Sequence, residues 1–307
     1  MTKRIFFFLV MIAATLNAQN TRSWVASSGL DTNDCTRPNP CRTFDRAISV
    51  SNDGAEVVVM DSAGYGPTTI FKAIQIIAPR GVHAAIAPTT GTAIQVAPGG
   101  GTVVLRNLYL NSQGAATGIA FLTSGSLYVE SCTISRFTNG ITATVPEPGT
   151  LIVRDSEVSD NALDGIRFQS SIGTVTASIE DTLIVKNGNF GLVAQTSFGN
   201  LRVMARNVTA VNNGYQYLAS TDSSGTTIEL ALESSSAIGS GTTEYGLRAG
   251  AASGAMTTVR VSNSTITANA FGVTTFGAGT TNILGRGNNT VEGNGTGNVF
   301  TGTYSGK

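Results

Sequence analysis

Short segments with alternating apolar and polar positions recur along most of the chain. Each unit reads apolar, any, apolar, any, then Asn, Asp or Ser, followed by two shorter segments, the last of which usually begins with Gly. Such period-2 alternation is typical of β-strands with one buried face. The polar turn positions are Asn107, Ser131, Asp155, Asp181, Asn207, Ser235, Asn263 and Asn288. Successive turn positions are 24 to 28 residues apart, which predicts a solenoid of stacked β-coils rather than propeller blades.

Apolar positions of successive units align in columns, and these columns are the predicted core. The column before the turn holds Val103, Leu127, Leu151, Ala177, Val203, Ala231, Val259 and Leu284. The column after the turn holds Leu110, Ile134, Val158, Ile184, Ala210, Ile238, Ile266 and Val291. The Gly-initiated segment adds Ile119, Ile141, Ile166, Leu192, Leu218, Leu247 and Val273. Stacked at about 4.8 Å per coil, the columns predict an all-β fold, a parallel β-helix with three strands per coil and Cys132 among its inward residues.

A column of asparagines follows the second segment of most units. Its members are Asn161, Asn187, Asn213, Asn269 and Asn294, with Gly241 expected to fill the gap. Asn tolerates left-handed backbone angles and its amide can bond to the next amide in a stack. The column therefore resembles the asparagine ladder of right-handed β-helices. Four Asn-x-Thr triplets match a glycosylation pattern, but their regular placement in turns favours a structural role.

Charge alternates at the position just before the turn. The residues are Arg106, Glu130, Arg154, Glu180 and Arg206. Stacking would bring opposite charges together, so we expect a surface salt-bridge ladder in which each exposed pair contributes roughly 0.2–1 kcal/mol. The alternative is a charged binding stripe.

The first 18 residues have the pattern of a secretory signal peptide. Lys3 and Arg4 precede an apolar run from residue 5 to 14, and small residues then lead to a plausible cut after Ala18. A membrane anchor is the alternative, but the run is short for a bilayer span. We therefore expect a secreted or periplasmic protein whose mature part has no membrane span.

Composition narrows the classes of partner. Charged residues make up only 12% of the 307 residues and the formal net charge is zero, which argues against a nucleic-acid partner. The 36 glycines and 8 prolines suit many short strands joined by tight turns.

Residues 19–56 are predicted to form an N-terminal loop and a short capping helix. Cys35 and Cys41 flank two prolines, and in an oxidising compartment we expect them to form a disulfide. Residues 43–51 place Phe44, Ala47, Ile48 and Ser51 on one helical face, which could plug the open end of the solenoid. The β-helix is expected over residues 57–307, with no helical cap evident in the tail from Gly293.

The block SWVASSGLDTNDCTRPNPCRTFDRAI at residues 23–48 resembles the start of a group of bacterial secreted right-handed β-helix proteins. These share a Trp-Val strand, an Asp/Asn-rich loop, paired cysteines and a Cys-Arg/Lys-Thr-Phe helix start. The repeats resemble the wider pectate-lyase-like superfamily. Together the resemblance covers residues 23–300 and implies a right-handed parallel β-helix, whereas it implies little about activity.

Pectate lyases of this superfamily use a carboxylate-bound Ca²⁺ and a base that abstracts a proton beside a uronate. Ca²⁺ takes six to eight oxygen ligands. The candidate metal ligands are Asp155, Glu157 and Asp181, and the candidate bases are Arg154, Lys186 and Arg206. The alternative, which the pattern favours, is that the aspartates fill the turn position that Asn fills elsewhere.

Other chemistry has weaker support in the sequence. The loop containing Asp31, Asn33 and Asp34 could hold Ca²⁺ or form an Asx-rich turn. Polygalacturonases need paired aspartates and a Gly-His-Gly segment, but the one histidine, His83, lies outside the regular coils.

Three functions remain open from the sequence. Tyr215 and Tyr217 are candidate sugar-stacking residues, though either could pack against the barrel instead. The first function is an exported non-catalytic β-helix that binds polysaccharide or a cell-surface glycan, without a cofactor. The second is a Ca²⁺-dependent pectate-type lyase, and the third is a structural or adhesive surface protein.

Overall fold

A computed structural model describes residues 19–305, most of which belong to one parallel β-solenoid. Three sheets run along its axis, and each regular coil contributes one strand to each sheet. We number the sheets 1, 2 and 3 in the order in which the chain crosses them within a coil. The predicted all-β solenoid with three strands per coil is confirmed. The predicted signal peptide lies outside the described residues.

The strand bounds follow the repeat. Sheet 1 contains Asn20–Val25, Ser51–Val59, Ile74–Ile77, Thr102–Arg106, Gly125–Glu130, Gly149–Arg154, Thr174–Glu180, Asn200–Arg206, Thr227–Glu233, Met256–Ser262, Thr280–Gly285 and Gly302–Thr303. Sheet 2 contains Ala63–Gly64, Ala84–Ile86, Leu108–Asn111, Thr133–Ser135, Glu157–Ser159, Leu183–Val185, Thr209–Val211, Ser236–Ile238, Thr265–Thr267 and Thr290–Val291. Sheet 3 contains Thr68–Ile70, Thr92–Val96, Thr117–Phe121, Asn139–Pro146, Ile166–Ile172, Phe190–Thr196, Tyr215–Thr221, Tyr245–Ala251 and Phe271–Phe276.

Inward side chains stack along the axis as the alternation predicts. Leu105, Val129, Val153 and Ile179 pair as parallel neighbours in successive strands of sheet 1, and all four are fully buried. Each strand presents alternate residues to this shared interior, because side chains point to opposite faces of a pleated strand. The core is therefore continuous along the axis and consists mostly of aliphatic side chains.

Four predicted core residues are wrong by one position. Leu230, Ala237 and Ile283 take the inward places assigned to Ala231, Ile238 and Leu284. In the coil that contains Leu230 and Ala237, the turn is made by Ser234, with φ 49°, rather than by Ser235. A slip of one residue moves every side chain to the opposite face of a strand.

The fourth error lies in sheet 3. Tyr217 pairs with Leu192 and Leu247 in the inward column, and Leu218 points to the outer face of the sheet. Gln216 takes the place that Gly occupies in neighbouring coils, and it is fully buried. A buried Gln breaks the Gly-apolar pattern, which is why the sequence pattern misassigned this strand.

The asparagine ladder forms between sheets 2 and 3. The Oδ1 of Asn187 accepts both the backbone N–H of Asn161, at 3.2 Å, and its side-chain amide, at 2.8 Å. Asn269 and Asn294 repeat the arrangement, with both distances 3.0 Å. After Asn213 the ladder is closed by Gln216, whose Oε1 lies 2.8 Å from the Asn213 amide, and it does not pass through Gly241 as predicted.

The N-terminal end is closed by the predicted helix, Phe44–Val50, whose buried face is Phe44, Ala47 and Ile48. Thr43 caps it by accepting the backbone N–H of Arg46 at 3.2 Å. The first coil begins at Ser51, earlier than the predicted start at residue 57. A disulfide joins Cys35 and Cys41 as predicted.

The C-terminal end is closed without a helix in the described part of the chain. The two-residue strand Gly302–Thr303 pairs with Thr280–Gly285 and extends sheet 1. The ring of Phe300 lies against Gly285, where a side chain would collide with it. No helix among residues 19–305 is long and apolar enough to cross a membrane.

Candidate functional site

The predicted Ca²⁺ ligands lie at the turn between sheets 1 and 2. Asp155 and Asp181 have left-handed backbones with φ 50° and 47°, the conformation that Asn107 and Asn207 adopt in other coils. The Asp181 carboxylate already accepts the amide of Asn207 at 2.5 Å. Among residues 19–305, no group of three or more His, Cys, Asp or Glu side chains is placed to hold a metal ion. Asp155, Glu157 and Asp181 therefore do not form the expected site, and the turn role explains both aspartates.

Two of the predicted bases belong to the charge ladder instead. Glu130 lies between Arg106, at 2.6 Å, and Arg154, at 3.3 Å. Arg206 pairs with Glu180 at 3.0 Å. A hydrogen bond from Ser178 and the bond from Arg206 lower the pKa of Glu180.

Lys186, the third predicted base, lies elsewhere. It occupies a left-handed turn, φ 56°, on the far side of the strand Leu183–Val185 from Asp181. The structure thus separates Lys186 from the other predicted bases and from the predicted metal ligands.

The acidic side chains of the N-terminal loop accept hydrogen bonds from residues of the same N-terminal region. Asp31 accepts the backbone N–H groups of Arg42, at 2.9 Å, and Thr43, at 3.0 Å. Asp34 accepts the N–H and hydroxyl of Thr36, which lowers the pKa of Asp34. The Asp34 contacts are those of an Asx turn, whereas Asp31 bonds to the backbone at the start of the capping helix. His83 is exposed and lies against Tyr109 at 4.3 Å between ring centroids.

The two candidate sugar-stacking tyrosines lie on opposite faces of the same strand. Tyr217 is only 1% exposed, and its hydroxyl lies 3.0 Å from the carbonyl oxygen of Val208. Its ring is part of the core and has no face free for a ligand, which corrects that prediction. Tyr215 lies half-buried on the outer face of sheet 3.

Tyr215 belongs to a row of four aromatic rings that we call the aromatic row: Phe190, Tyr215, Tyr245 and Phe271. Successive centroids are 4.8, 4.6 and 4.6 Å apart. Because the rings lie over one another, the inner rings present mainly their edges to solvent. The sequence signal was an aromatic residue just before the Gly of three of these strands, at positions 190, 245 and 271.

A surface cavity of about 240 Å³ lies beside the aromatic row. We call it the sheet-3 cavity. Its lining residues are Phe190, Gln195, Tyr215, Leu218, Ser220, Asp222, Arg248 and Phe276. All but Asp222 lie on strands of sheet 3, so the cavity is built on the rigid coils themselves rather than on long loops.

A chain of polar contacts organises one wall of the cavity. Asp164, with its side chain only 3% exposed, pairs with Arg167 at 2.6 Å. Arg167 donates to the Oε1 of Gln195 at 2.7 Å, and Gln195 donates to the Oδ2 of Asp222 at 2.9 Å. These contacts orient the amide of Gln195 and fix one carboxylate oxygen of Asp222.

Arg248 also lines the cavity. Its Nη1 donates to the hydroxyl of Tyr215 at 3.1 Å. Its guanidinium carbon lies 5.6, 4.9 and 4.5 Å from the ring centroids of Tyr215, Tyr245 and Phe276. The ring of Phe276 lies on Gly250, where any side chain would collide with it. Cation–π contacts of this kind hold a guanidinium in place without neutralising it.

The sheet-3 cavity therefore combines aromatic surface with a carboxylate, an amide, a hydroxyl and a guanidinium. Such a lining can contact apolar C–H groups and can both donate and accept hydrogen bonds.

Comparison with known proteins identifies the fold. The family model described as "Right handed beta helix region" matches residues 83–232. The structure resembles that of pectate lyase Pel9A, with TM-score 0.50, 14% identity and coverage of 90% of this chain and 72% of that one. It also resembles a complex of XylC with xylose, with TM-score 0.50, 9% identity and coverage of 83% and 70%. No curated protein matches the sequence.

At these identities the likeness concerns architecture, not activity. The repeat, the asparagine ladder, the matched family model and the structural neighbours agree with one another. The chain has a right-handed parallel β-helix fold.

Proposed function

We propose that this chain is an exported, non-catalytic β-helix protein that binds polysaccharide or a cell-surface glycan through the outer face of sheet 3. The observation that carries the proposal is the sheet-3 cavity, where aromatic rings and oriented polar groups converge. The XylC neighbour is described in complex with xylose, which fits a β-helix scaffold for saccharides without identifying the ligand here.

Because the coils repeat, this surface is elongated along the solenoid axis. The aromatic row spans three coil-to-coil steps, from Phe190 to Phe271, or about 14 Å at 4.8 Å per step. A linear ligand lying along the axis would contact equivalent positions of successive strands of sheet 3. We therefore expect an oligosaccharide segment, rather than a single sugar, to occupy this face.

Binding is tested by presenting the mature protein to a glycan array and measuring affinity for the retained glycans by calorimetry. Asp222→Ala removes a hydrogen-bond acceptor of the cavity and should weaken binding by about tenfold. Glu229→Ala is the matched control, because Glu229 is an exposed carboxylate on the outer face of sheet 1. A blank array would contradict the proposal and favour a structural or adhesive role.

Catalysis and export have separate tests. Incubation with a panel of polyuronates, with and without a Ca²⁺ chelator, should yield no unsaturated products absorbing in the near ultraviolet. Formation of such products, and their loss on chelation, would contradict the non-catalytic proposal and indicate a Ca²⁺-dependent lyase. N-terminal sequencing of the exported protein should give Gln19 as its first residue.

A further inference from the structure

Arg248 carries a charge that the protein does not neutralise. Within residues 19–305 seven ion pairs form, and Arg248 takes part in none of them. A guanidinium has five N–H donors. One donates to Tyr215, and the rings around it accept no in-plane hydrogen bond. The described residues therefore leave donors of Arg248 free at the cavity wall.

The other charged groups nearby do not compensate Arg248. Arg167 is matched by Asp164 at 2.6 Å and adds no free charge. Asp222 lines the same cavity, but no nitrogen–oxygen distance between Asp222 and Arg248 falls within 4.0 Å. The Oδ2 of Asp222 accepts Gln195 at 2.9 Å and Ser197 at 3.4 Å, whereas its Oδ1 accepts no hydrogen bond from the described residues.

The cavity thus holds a cation and a hydrogen-bond acceptor apart. We propose that it selects a glycan bearing an oxyanion substituent, which pairs with Arg248 while a hydroxyl of the same ligand donates to the Oδ1 of Asp222. This inference rests on the proposed glycan-binding function and specifies the ligand class. Planar guanidinium donors match the geometry of carboxylate and similar oxyanions.

Asp222 sets the orientation of the ligand in the cavity, and Arg248 sets its selectivity for charge. An anion placed beside Asp222 would meet a like charge, so the ligand has to enter with its anionic end toward Arg248. A neutral glycan would leave the free donors of Arg248 unpaired on desolvation, which costs affinity. Discrimination between charged and neutral forms of one glycan should therefore depend on this single arginine.

The test compares matched ligands by calorimetry at low and high salt. The probes are a hexuronate oligosaccharide with its methyl ester, and a sulfated oligosaccharide with its desulfated form. We expect at least one charged form to bind about tenfold or more tightly than its neutral partner, and added salt to reduce the difference. The pair that shows the difference identifies carboxylate or sulfate as the recognised group.

Arg248→Met should abolish that discrimination, because Met retains an apolar stem against the rings but has no donor. Arg202→Met, on the exposed outer face of sheet 1, should leave it unchanged. Equal binding of charged and neutral forms by the parent protein would overturn the inference and leave glycan binding standing. Absence of binding to any glycan would overturn both. Should Arg248→Met fail to fold, the comparison on the parent protein alone decides the matter.

Discussion

Asn187 and Asn213 are joined by two hydrogen bonds to the same oxygen. The Oδ1 of Asn213 accepts the backbone N–H of Asn187 at 2.9 Å and its side-chain amide at 2.9 Å. The Asn187 amide also donates to the carbonyl of Val158 at 3.1 Å. Both asparagines are only 1% exposed. The pair fixes the turn from sheet 2 into the strands that carry Phe190 and Tyr215.

Asn187→Ala should destabilise the protein by about 3 kcal/mol, because it leaves buried donors and acceptors on both adjacent coils without partners. Chemical denaturation followed by circular dichroism measures the loss. Asn212→Gly is the control, since Asn212 is exposed and its φ of 55° suits glycine. We expect the control to change stability by less than about 0.5 kcal/mol. Equal losses in the two variants would show that the ladder adds no stability.

Tyr215 and Tyr217 should respond oppositely to loss of their hydroxyls. Tyr217→Phe removes a buried hydrogen bond to the backbone and should cost about 1 kcal/mol of stability, with glycan affinity unchanged. Tyr215→Phe removes the acceptor that positions Arg248, so affinity should fall several-fold with little loss of stability. Unfolding curves and calorimetry on both variants decide the matter. The assignment of the two residues would fail if Tyr217→Phe lost affinity while Tyr215→Phe did not.

The contrast between these tyrosines illustrates what the sequence pattern resolves. Regular coils were predictable, since Leu127 and Leu151 stand at equal positions in units of equal length. Tyr217 was not, because a tyrosine enters an aliphatic column only where its hydroxyl finds a partner, and that partner is a backbone carbonyl. The turn was assigned to Ser235 instead of Ser234 because three consecutive serines do not show where the apolar-polar alternation is in register.

The candidate site was harder to predict than the fold. Arg167, Gln195 and Arg248 come from three different coils, and only stacking places them on one surface. A repeat identifies residues that occupy the same column. The cavity, however, depends on contacts between side chains of different columns, which the repeat does not specify. Two signals in the sequence pointed to this face: the candidate Tyr215, and the Phe or Tyr before Gly at positions 190, 245 and 271.

Stability should decline at low pH partly through Glu244, which precedes the aromatic residue Tyr245. Burial opposes its ionisation, but hydrogen bonds from Ser240 and from the backbone N–H groups of Thr242 and Thr243 outweigh burial and lower the pKa of Glu244 to about 2. A lowered pKa means that the folded state favours the carboxylate. This contribution is therefore complete above the ordinary value of 4.5 and is lost as pH falls from 4.5 toward 2.

Melting temperatures measured across that pH range test the role of Glu244. Glu244→Gln should be less stable than the parent at neutral pH and should lose less stability on acidification. Glu292→Gln, at an exposed position near the C-terminal end, should follow the parent curve. Parallel curves for the parent and Glu244→Gln would contradict the assigned contribution.

Replacing both Cys35 and Cys41 by serine should expose the N-terminal edge of sheet 1. The disulfide loop occupies the free side of the edge strand, because Trp24 donates to the carbonyl of Cys35 at 2.8 Å and accepts from Cys41 at 2.9 Å. Freed of the loop, those backbone groups can pair with another chain. We expect a loss of about 2 kcal/mol and concentration-dependent association in light scattering. Cys132→Ala leaves the edge covered and should stay monodisperse. If the double serine variant did not associate, some contact other than the disulfide-closed loop would have to protect this edge.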